Sequence, residues 1–363
     1  MNFWTDLFTK KKMVLGLSPM DGVTDAAMRY MTAKYGREEI TNHKFPACAG
    51  RSNSQMGCGG VDVMFTEFVS VDALHYATGD PTSPSASKGQ GRRERLLKTF
   101  LRAQDVAPLH GTWPYEVAQV FGHTPEYFAE AAELIESLGF DGIDINMGCP
   151  AHKVEEQGSG AGLIRQPKLA QEIIKVVKAH TKLPVSVKTR IGIDDDTAQE
   201  WMEVLMEAKP AVISLHGRTL KQMYSGSADW GAIALAAEVV HKYGGHILGN
   251  GDVGSVDSAW RMAHSYGVDG VLIGRAAEGN PAVFNSQIIN SQILKLESEK
   301  EQRLAWMVEH AKLFEKIFPE SFLPVRKHLA WYCKGFPGAV DLRARLMMTN
   351  SADEVEKIVE EMN

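Results

Sequence analysis

Short apolar runs alternate along the chain with longer amphipathic segments. This pattern is typical of strand and helix units around a parallel sheet, whose strands are covered on both faces and read as continuous apolar runs. Eight runs qualify as strands, at residues 14–18, 63–69, 116–122, 142–146, 185–189, 212–216, 246–250 and 270–274. Eight units within about 275 residues match a closed barrel better than an open doubly wound sheet. We therefore predict an α/β fold built on a (β/α)8 TIM barrel.

The segments between the runs carry helix signals. In PEYFAEAAELIESLG, apolar positions recur at three- and four-residue spacing, Pro125 lies in the first turn and Gly139 follows the last. After Pro281 the strand pattern stops, and the remaining chain predicts three or four helices, at roughly residues 299–318, 324–334, 338–347 and 352–362. We therefore expect two domains, a catalytic barrel over residues 1–285 and a C-terminal all-helical domain over residues 286–363.

Two segments lack any apolar period. Residues 42–60 are rich in Gly, Ser and Asn, and we expect a mobile loop or insertion there. Residues 78–98 combine turn formers with a charged helix start, which predicts a solvent-exposed surface loop, with a binding loop as the alternative.

The composition is that of a compact protein, with 44% hydrophobic residues. No run approaches the roughly 20 apolar residues of a membrane span and no signal peptide precedes the first strand, so we expect a cytoplasmic protein. The net charge of −6 allows only a local basic patch for an acidic polymer. Scattered cysteines without CxxC or Cys/His spacing predict neither a disulfide framework nor a metal site, and a monomer is the default expectation.

Polar or glycine-rich residues follow every predicted strand. The strand ends read SPMDGVTD, TEFVS, QVFGHTP, DINMGCP, KTRIG, HGRT, GNGDV and GRAAEGNP. Barrel enzymes carry their active sites at the carboxyl ends of the strands. Any one of Lys188, His216 and Asn250 alone could be a satisfied internal side chain, but their coincidence predicts a single functional site at this end.

The last two strand ends predict a phosphate site, because loops after strands seven and eight commonly bind phosphate through backbone amides. Gly251 and Gly274 allow a close approach of the backbone, and Arg275 adds a charge. Two ordinary glycine turns are the alternative interpretation.

Lys188 and Gln119 indicate the rest of that ligand. A flavin ring needs a cation near N1 and hydrogen-bonding partners along its pyrimidine edge, and His216 should face the same cavity. A salt bridge inside the barrel is the alternative for a lone lysine. Cys149, in the loop after strand four, could donate a proton to a substrate stacked on the flavin, whereas for Cys48, Cys58 and Cys333 we expect small buried apolar side chains.

Read together, these motifs resemble those of the tRNA-dihydrouridine synthases, flavin-dependent barrels followed by a helical tRNA-binding domain. SPMDGVTD resembles the opening flavin loop and DINMGCPAHKVEEQGSGAGL the cysteine loop. SVKTRIG and SLHGRT resemble the lysine and histidine positions, and LGNGDV and VLIGRAAEGNP the phosphate site. The resemblance covers the barrel and continues weakly into RKHLAWYCKGFPGA. The chain departs from the simpler bacterial pattern in residues 42–60 and in an opening Ser-Pro-Met where Ala-Pro-Met is expected.

The resemblance implies roles for individual residues. Cys149 becomes the proton donor. FMN is implied as the cofactor and NADPH as its reductant, with hydride passing from flavin N5 to C6 of a tRNA uridine and the proton from Cys149 to C5. The residues assigned to the flavin are Pro19, Met20, Asp21, Gln119, Lys188, His216, Asn250, Gly251, Asp252, Gly274 and Arg275.

A basic patch gives the tRNA interpretation separate support. Residues 321–350 contain five basic residues and one acidic residue, which is a net charge of +4 within a chain whose net charge is −6. These candidate RNA-binding residues are Arg326, Lys327, Lys334, Arg343 and Arg345. A solvated helix face is the alternative, and Trp331, Tyr332 and Phe336 are either helix core or base-stacking platforms.

Three other functions remain open at this point. A flavin barrel acting on a free pyrimidine such as dihydroorotate would share the phosphate site and the lysine. A flavin-free isomerase or aldolase would use Lys188 as a base or Schiff-base residue. A non-catalytic RNA-binding barrel would not need Cys149.

Overall fold

A computed structural model of the chain describes residues 2–11, 13–37, 60–77, 94, 96–109, 112–285 and 296–362. All eight predicted strands are present, each within one residue of its predicted bounds. They are β1 Val14–Leu17, β2 Val63–Ser70, β3 Tyr115–Phe121, β4 Gly142–Met147, β5 Val185–Arg190, β6 Val212–His216, β7 Ile247–Asn250 and β8 Gly270–Ile273. The expected loops at residues 42–60 and 78–98 lie almost wholly outside the described residues.

Each strand pairs in parallel with the next, and β8 pairs with β1, so the sheet closes into a barrel. The predicted (β/α)8 TIM barrel with a C-terminal helical region is therefore confirmed. In the described residues, the helices are α1 Phe3–Lys10, α2 Ala26–Tyr35, α3 Val71–Ala77, α4 Ala103–Val106, α5 Pro125–Ser137, α6 His152–Glu156, α7 Pro167–Ala179, α8 Ala198–Glu207, α9 Trp230–Lys242, α10 Val256–Tyr266, α11 Leu296–Ile317, α12 Arg326–Tyr332, α13 Ala339–Leu346 and α14 Ala352–Glu360.

The N-terminal helix α1 packs into the amino end of the barrel. Asn2 caps it, with Oδ1 accepting the backbone N–H of Thr5 at 3.0 Å. Trp4 and Leu7 are buried in one cluster with inward-facing residues of the strands, which are Val14, Val63, Phe65, Val117, Val212, Leu248 and Leu272. This apolar plug fills the amino half of the barrel interior and leaves the carboxyl half for polar side chains. No helix of the described residues is long and apolar enough to cross a membrane.

The chain forms two compact units. The first comprises residues 1–21, 62–102 and 114–274 and contains all eight strands. The second comprises residues 22–61, 103–113 and 275–363, and in it α11 packs against α2, α12 and α14. Helices α11 to α14 lie at the four ranges where the sequence predicts C-terminal helices, with small differences at their ends.

Candidate active site

The inner face of the barrel changes from apolar to polar toward the carboxyl ends of the strands. Val117, Val212 and Leu248 belong to the apolar plug. Because strand side chains alternate between the two faces, residues two or four positions further along face the same interior. These include three predicted site residues that the structure buries: Gln119, His216 and Asn250. Lys188 faces the same interior, because in the sheet register it lies opposite Ser214 on β6. Arg190, the next inward-facing residue of β5, lies opposite His216.

Gln119 is fixed by a buried chain of hydrogen bonds. Its Nε2 donates to Asp144 Oδ2 at 2.6 Å, and its Oε1 accepts from Asn146 Nδ2 at 3.0 Å. Ser186 Oγ donates to the other Asp144 oxygen at 2.6 Å. Both ends of the Gln119 amide are therefore held in one orientation by two residues of β4.

The same chain reaches the loop that carries Cys149. Asn146 Oδ1 accepts the backbone N–H groups of Gly148 at 3.0 Å and Cys149 at 2.8 Å. Asn146 thus connects the Gln119 amide to the backbone of the candidate proton donor.

Cys149 carries a protonated thiol at neutral pH. The residue is only 8% exposed. Burial raises the pKa of its thiol, and the Asp21 carboxylate raises it further, while the backbone N–H of Ala151 and the cations Arg190 and Lys188 oppose the rise. A neutral thiol can donate a proton but is a poor nucleophile, which favours general-acid chemistry.

Lys188 and Asp144 are two charged groups in the same interior. Burial lowers the pKa of Lys188 to about 8, with Arg190 adding to the decrease and Asp144 opposing it. Burial raises the pKa of Asp144 to about 6, against the hydrogen bonds from Ser186 and Gln119 and the charge of Lys188. At neutral pH both groups are predominantly charged. Lys188 therefore presents a cation to the cavity, and Asp144, one inward-facing position earlier on the paired strand β4, carries the opposite charge.

Arg190, which the sequence analysis did not assign, joins two loops at the mouth of the barrel. Its Nε donates to the carbonyl of Gly148 at 2.7 Å, in the loop after β4. Its Nη1 donates to the carbonyls of Thr219 and Met223, each at 3.0 Å, in the loop after β6. The guanidinium therefore holds the Cys149 loop and the β6 loop in a fixed relation.

The loop after β7 depends on a second buried arginine. Arg218 Nη2 donates to both carboxylate oxygens of Asp252, at 3.0 and 2.7 Å, and the backbone N–H of Ala228 donates to the same carboxylate at 2.8 Å. Asp252 has a positive φ of 55°, and Gly251 before it has a φ of 130°. A Cβ on Gly251 would lie 2.5 Å from Ala228 Cβ, so this turn requires glycine. The Asp252 side chain supports the loop, whose backbone forms the turn predicted to bind phosphate.

The segment after β1 lies beside the end of β8. The backbone N–H of Ser18 donates to the carbonyl of Ile273 at 2.8 Å. Pro19 and Met20 are half-buried and Asp21 is exposed. A Cβ on Gly274 would make ordinary contact with Met20 Sδ at 3.6 Å, so neither space nor backbone conformation requires glycine there. Arg275 opens a short 3₁₀ helix, Arg275–Ala277, in the second unit.

Three of the five candidate RNA-binding residues in the second unit have clear structural partners. Arg326 Nε donates to the carbonyl of Thr349 at 2.7 Å, and Lys334 Nζ donates to the carbonyl of Glu278 at 3.1 Å. Arg345 forms an ion pair with Glu361.

The other two basic residues and the nearby aromatic residues divide differently. Lys327 is half-buried, with Nζ beside Gly22, and Arg343 is exposed. Tyr332 and Phe336 are buried in the helical core, whereas Trp331 is half-buried. The core interpretation therefore holds for Tyr332 and Phe336.

Comparison with known proteins shows the family. A sequence model described as dihydrouridine synthase matches residues 16–363. The chain belongs to the dihydrouridine synthase family. A probable tRNA-dihydrouridine synthase 1 from Synechocystis is 30% identical over 349 residues, covering 95% of this chain and 84% of the relative.

Two relatives cover almost the whole chain. A probable tRNA-dihydrouridine synthase from Staphylococcus aureus strain COL is 31% identical over 99% of this chain and 95% of its own length. A probable tRNA-dihydrouridine synthase 2 from Bacillus subtilis is 31% identical over 99% of this chain and 96% of its own length. Family membership therefore extends across the barrel and the helices that follow it.

Sequence reasoning missed four residues that organise this candidate site, namely Asp144, Asn146, Arg190 and Arg218. The signal for the first three is the strand period. In SVKTR, Arg190 lies two positions after Lys188 and so faces the same cavity, and in DINMG, Asp144 and Asn146 are the polar residues at alternate positions of an otherwise apolar strand. Arg218 lies beyond its strand, and the sequence carries no comparable signal for it.

Proposed function

We propose that this protein is a tRNA-dihydrouridine synthase, which uses NADPH and FMN to reduce selected uridines in tRNA to 5,6-dihydrouridine. The relatives' names support the substrate and product. The observation that carries the chemistry is a buried, protonated thiol at Cys149, held by Asn146 and Arg190 at the barrel end that also contains Lys188 and Gln119.

The residues present fit a flavin ring. Lys188 supplies a cation and Gln119 an amide of fixed orientation, the two kinds of partner that a flavin pyrimidine edge needs. Beside Lys188 in the register, the buried Ser214 Oγ has no hydrogen-bond partner among the described residues. An unpaired hydroxyl inside a barrel calls for a polar ligand or water. We propose that Gln119, Lys188 and His216 hold the ring.

The phosphate end of FMN fits the turns after β7 and β8. Arg218 holds Asp252, and the steric demand at Gly251 keeps the backbone of the first turn compact. Asn250 Nδ2 donates to the carbonyl of Leu272 at 3.0 Å and so joins β7 to β8. We propose that Asn250, Gly251, Asp252, Gly274 and Arg275 bind the phosphate, and that Pro19, Met20 and Asp21 border the cofactor.

Once bound and reduced by NADPH, FMN would supply a hydride to C6 of the uracil. The protein then has to deliver a proton to C5, and Cys149 is the group that does so. Its raised pKa keeps the proton on sulfur at neutral pH. The hydrogen bonds from the backbone of Cys149 and Gly148 to Asn146 fix the backbone that carries the thiol relative to Gln119.

We propose that the helical unit binds tRNA through the basic residues Arg326, Lys327, Lys334, Arg343 and Arg345. Arg343 is exposed and adds a positive charge to a helix surface. The target uridine must leave its stack to reach the barrel, at a cost of a few kcal/mol offset by contacts with the protein. We further propose a monomeric cytoplasmic enzyme that needs no metal, with a catalytic barrel over residues 1–285 and a tRNA-binding domain over residues 286–363.

The test is mass spectrometry of nucleosides from dihydrouridine-free tRNA after incubation with the protein, FMN and NADPH. We expect new dihydrouridine in the tRNA and none from free uridine under the same conditions. If a yellow protein oxidises NADPH and reduces a free pyrimidine while every tRNA uridine stays intact, the free-pyrimidine enzyme replaces this proposal. If the protein binds no flavin, an isomerase or aldolase replaces it.

A further inference from the structure

The loop between β6 and α9, residues 217–229, exposes two large apolar side chains at the mouth of the barrel. Met223 is 49% exposed and Tyr224 is 59% exposed. Since β6 ends at His216, this loop lies at the carboxyl end of the strands, where the candidate active site is. Solvent exposure of adjacent large apolar residues at a binding face indicates contact with a ligand.

Two buried arginines, Arg190 and Arg218, form hydrogen bonds with the backbone of this loop. Arg190 donates to the carbonyls of Thr219 and Met223, and Arg218 donates to the carbonyls of Ser225 at 3.2 Å and Gly226 at 2.6 Å. Arg190 thus joins β5 to the backbone of this loop, while Arg218, inside the loop, binds two carbonyls of the same loop as well as the Asp252 carboxylate. The side chains of Met223 and Tyr224 are not needed for these bonds.

The backbone of the loop is also strained at one point. Met223 has a φ of 51°, a left-handed conformation that costs free energy for any residue except glycine. Strained residues persist where the surrounding structure enforces them, and they concentrate at ligand sites. The Met223 backbone is held on both sides, because its N–H donates to the Leu220 carbonyl at 2.9 Å and its carbonyl accepts from Arg190 at 3.0 Å.

Arg190 connects the exposed ring to the Cys149 loop. The guanidinium lies 5.9 Å from the centroid of the Tyr224 ring, and its Nε donates to the carbonyl of Gly148, the residue before Cys149. One rigid group therefore sets the position of the ring relative to the proton donor. A nucleotide bound at Tyr224 would be a close neighbour of the substrate uridine.

The charges around the loop favour a base over a phosphate group. Lys221 Nζ lies 3.6 Å from Asp194, and Asp195 and Asp196 beside it are exposed. These exposed acids repel phosphate, whereas the guanidinium groups of Arg190 and Arg218 are buried and bonded to backbone carbonyls. An aromatic ring, by contrast, stacks on the face of any nucleobase without requiring a positive field.

We propose that Tyr224, with Met223 beside it, is a stacking platform for an unpaired tRNA base adjacent to the target uridine. This inference rests on the proposed function, because it takes tRNA as the ligand. The platform contributes a contact from the barrel unit that is separate from the basic residues of the helical unit.

The first test measures the Kd for dihydrouridine-free tRNA at several salt concentrations, with the FMN-loaded full-length protein. We expect Tyr224→Ala to weaken binding roughly five- to hundredfold, as the loss of one stacked base does, and Tyr224→Phe to keep wild-type affinity. The slope of log Kd against log salt should stay unchanged, since no phosphate contact is lost. Arg343→Ala should instead reduce that slope.

Tyr243 provides a matched control. It is 47% exposed on the same unit but follows α9 and precedes β7, at the amino end of the strands. Tyr243→Ala should leave tRNA affinity unchanged. Equal weakening by both alanine variants would overturn the platform, because it would show a general effect of losing an exposed tyrosine.

A spectroscopic test keeps the inference falsifiable if Tyr224→Ala folds poorly. In Tyr224→Trp, a stacked base should quench the added tryptophan fluorescence on tRNA binding, whereas Tyr243→Trp should show no added quenching. Two results would overturn the stacking platform and leave the proposed function intact. They are unquenched fluorescence of the added tryptophan when tRNA is bound to Tyr224→Trp, and wild-type tRNA affinity in Tyr224→Ala. Absence of tRNA binding by the wild-type protein overturns the proposed function itself.

Discussion

Asp144 gives the most quantitative prediction about the buried network. Its pKa is raised from 3.8 to about 6 by burial. Between these two values the folded protein binds more protons than the unfolded chain, so the free energy of unfolding decreases as pH rises and is constant above the window. The full effect is about 3 kcal/mol for 2.2 pKa units, of which about 2.5 kcal/mol falls between pH 4 and pH 8.

Asp144→Asn isolates this contribution. One amide oxygen can still accept from Gln119 Nε2, and the amide NH₂ can donate to Ser186 Oγ, whose hydroxyl then turns to the carbonyl of Ile143 at 3.4 Å. The geometry is kept and the ionisation is lost. We expect the free energy of unfolding of the variant, relative to that of the wild type, to be about 2.5 kcal/mol higher at pH 8 than at pH 4.

Urea unfolding of both proteins at the two pH values measures this shift, and taking the difference cancels the titrating groups that do not interact with Asp144. Lys188, whose charge does interact with it, titrates at the upper end of this pH range. Asp144→Leu is the control for hydrogen bonding. It leaves Gln119 Nε2 without its acceptor and Ser186 Oγ with only the carbonyl of Ile143, so relative to Asp144→Asn it should cost about 1–3 kcal/mol at either pH. If the difference between Asp144→Asn and the wild type is the same at pH 4 and pH 8, the reasoning about a buried, raised-pKa carboxyl is refuted.

Three further predictions follow from single contacts. Gly251→Ala should lower the free energy of unfolding by about 1–3 kcal/mol, because φ is positive there and the added Cβ would meet Ala228 Cβ. Gly254→Ala, where an added Cβ meets open space, should change it by less than about 0.5 kcal/mol, and thermal unfolding of both variants measures the difference. Alkylation of Cys149 by iodoacetamide, followed by peptide mass spectrometry, should still accelerate above pH 9, and a plateau near pH 8 would contradict its raised pKa. Burial lowers the pKa of His310 from 6.5 to about 3, so stability should fall by about 1.4 kcal/mol per pH unit on acidification through that window, a slope that His310→Gln should remove.

The strands could be predicted because each is a buried apolar run with glycine or polar residues after it. Parallel barrel strands face the core on one side and helices on the other, so their apolar character is unbroken and their bounds are sharp. The same geometry made Lys188, His216 and Asn250 recognisable as strand ends. Their location on one inner face follows from the period of two along each strand.

Contacts between distant segments could not be predicted in this way. Arg190 and Arg218 bind backbone carbonyls, and carbonyls carry no sequence identity that a pattern could show. Helix α1 lies outside the strand and helix repeat, so its packing against the amino end of the barrel has no periodic signal. The helix after β1 belongs to the second unit, because its partners come from segments that are distant in sequence.

The most direct test of the account is a single-turnover experiment on Cys149. The FMN-loaded protein is reduced with NADPH in the absence of oxygen and mixed with dihydrouridine-free tRNA, and the return of oxidised flavin absorbance is followed together with dihydrouridine formation. We expect Cys149→Ala to slow both signals by about 10²- to 10⁴-fold, the usual contribution of a general acid, and Cys149→Ser to slow them less. Wild-type rates in Cys149→Ala would contradict the central claim that this buried thiol is the proton donor.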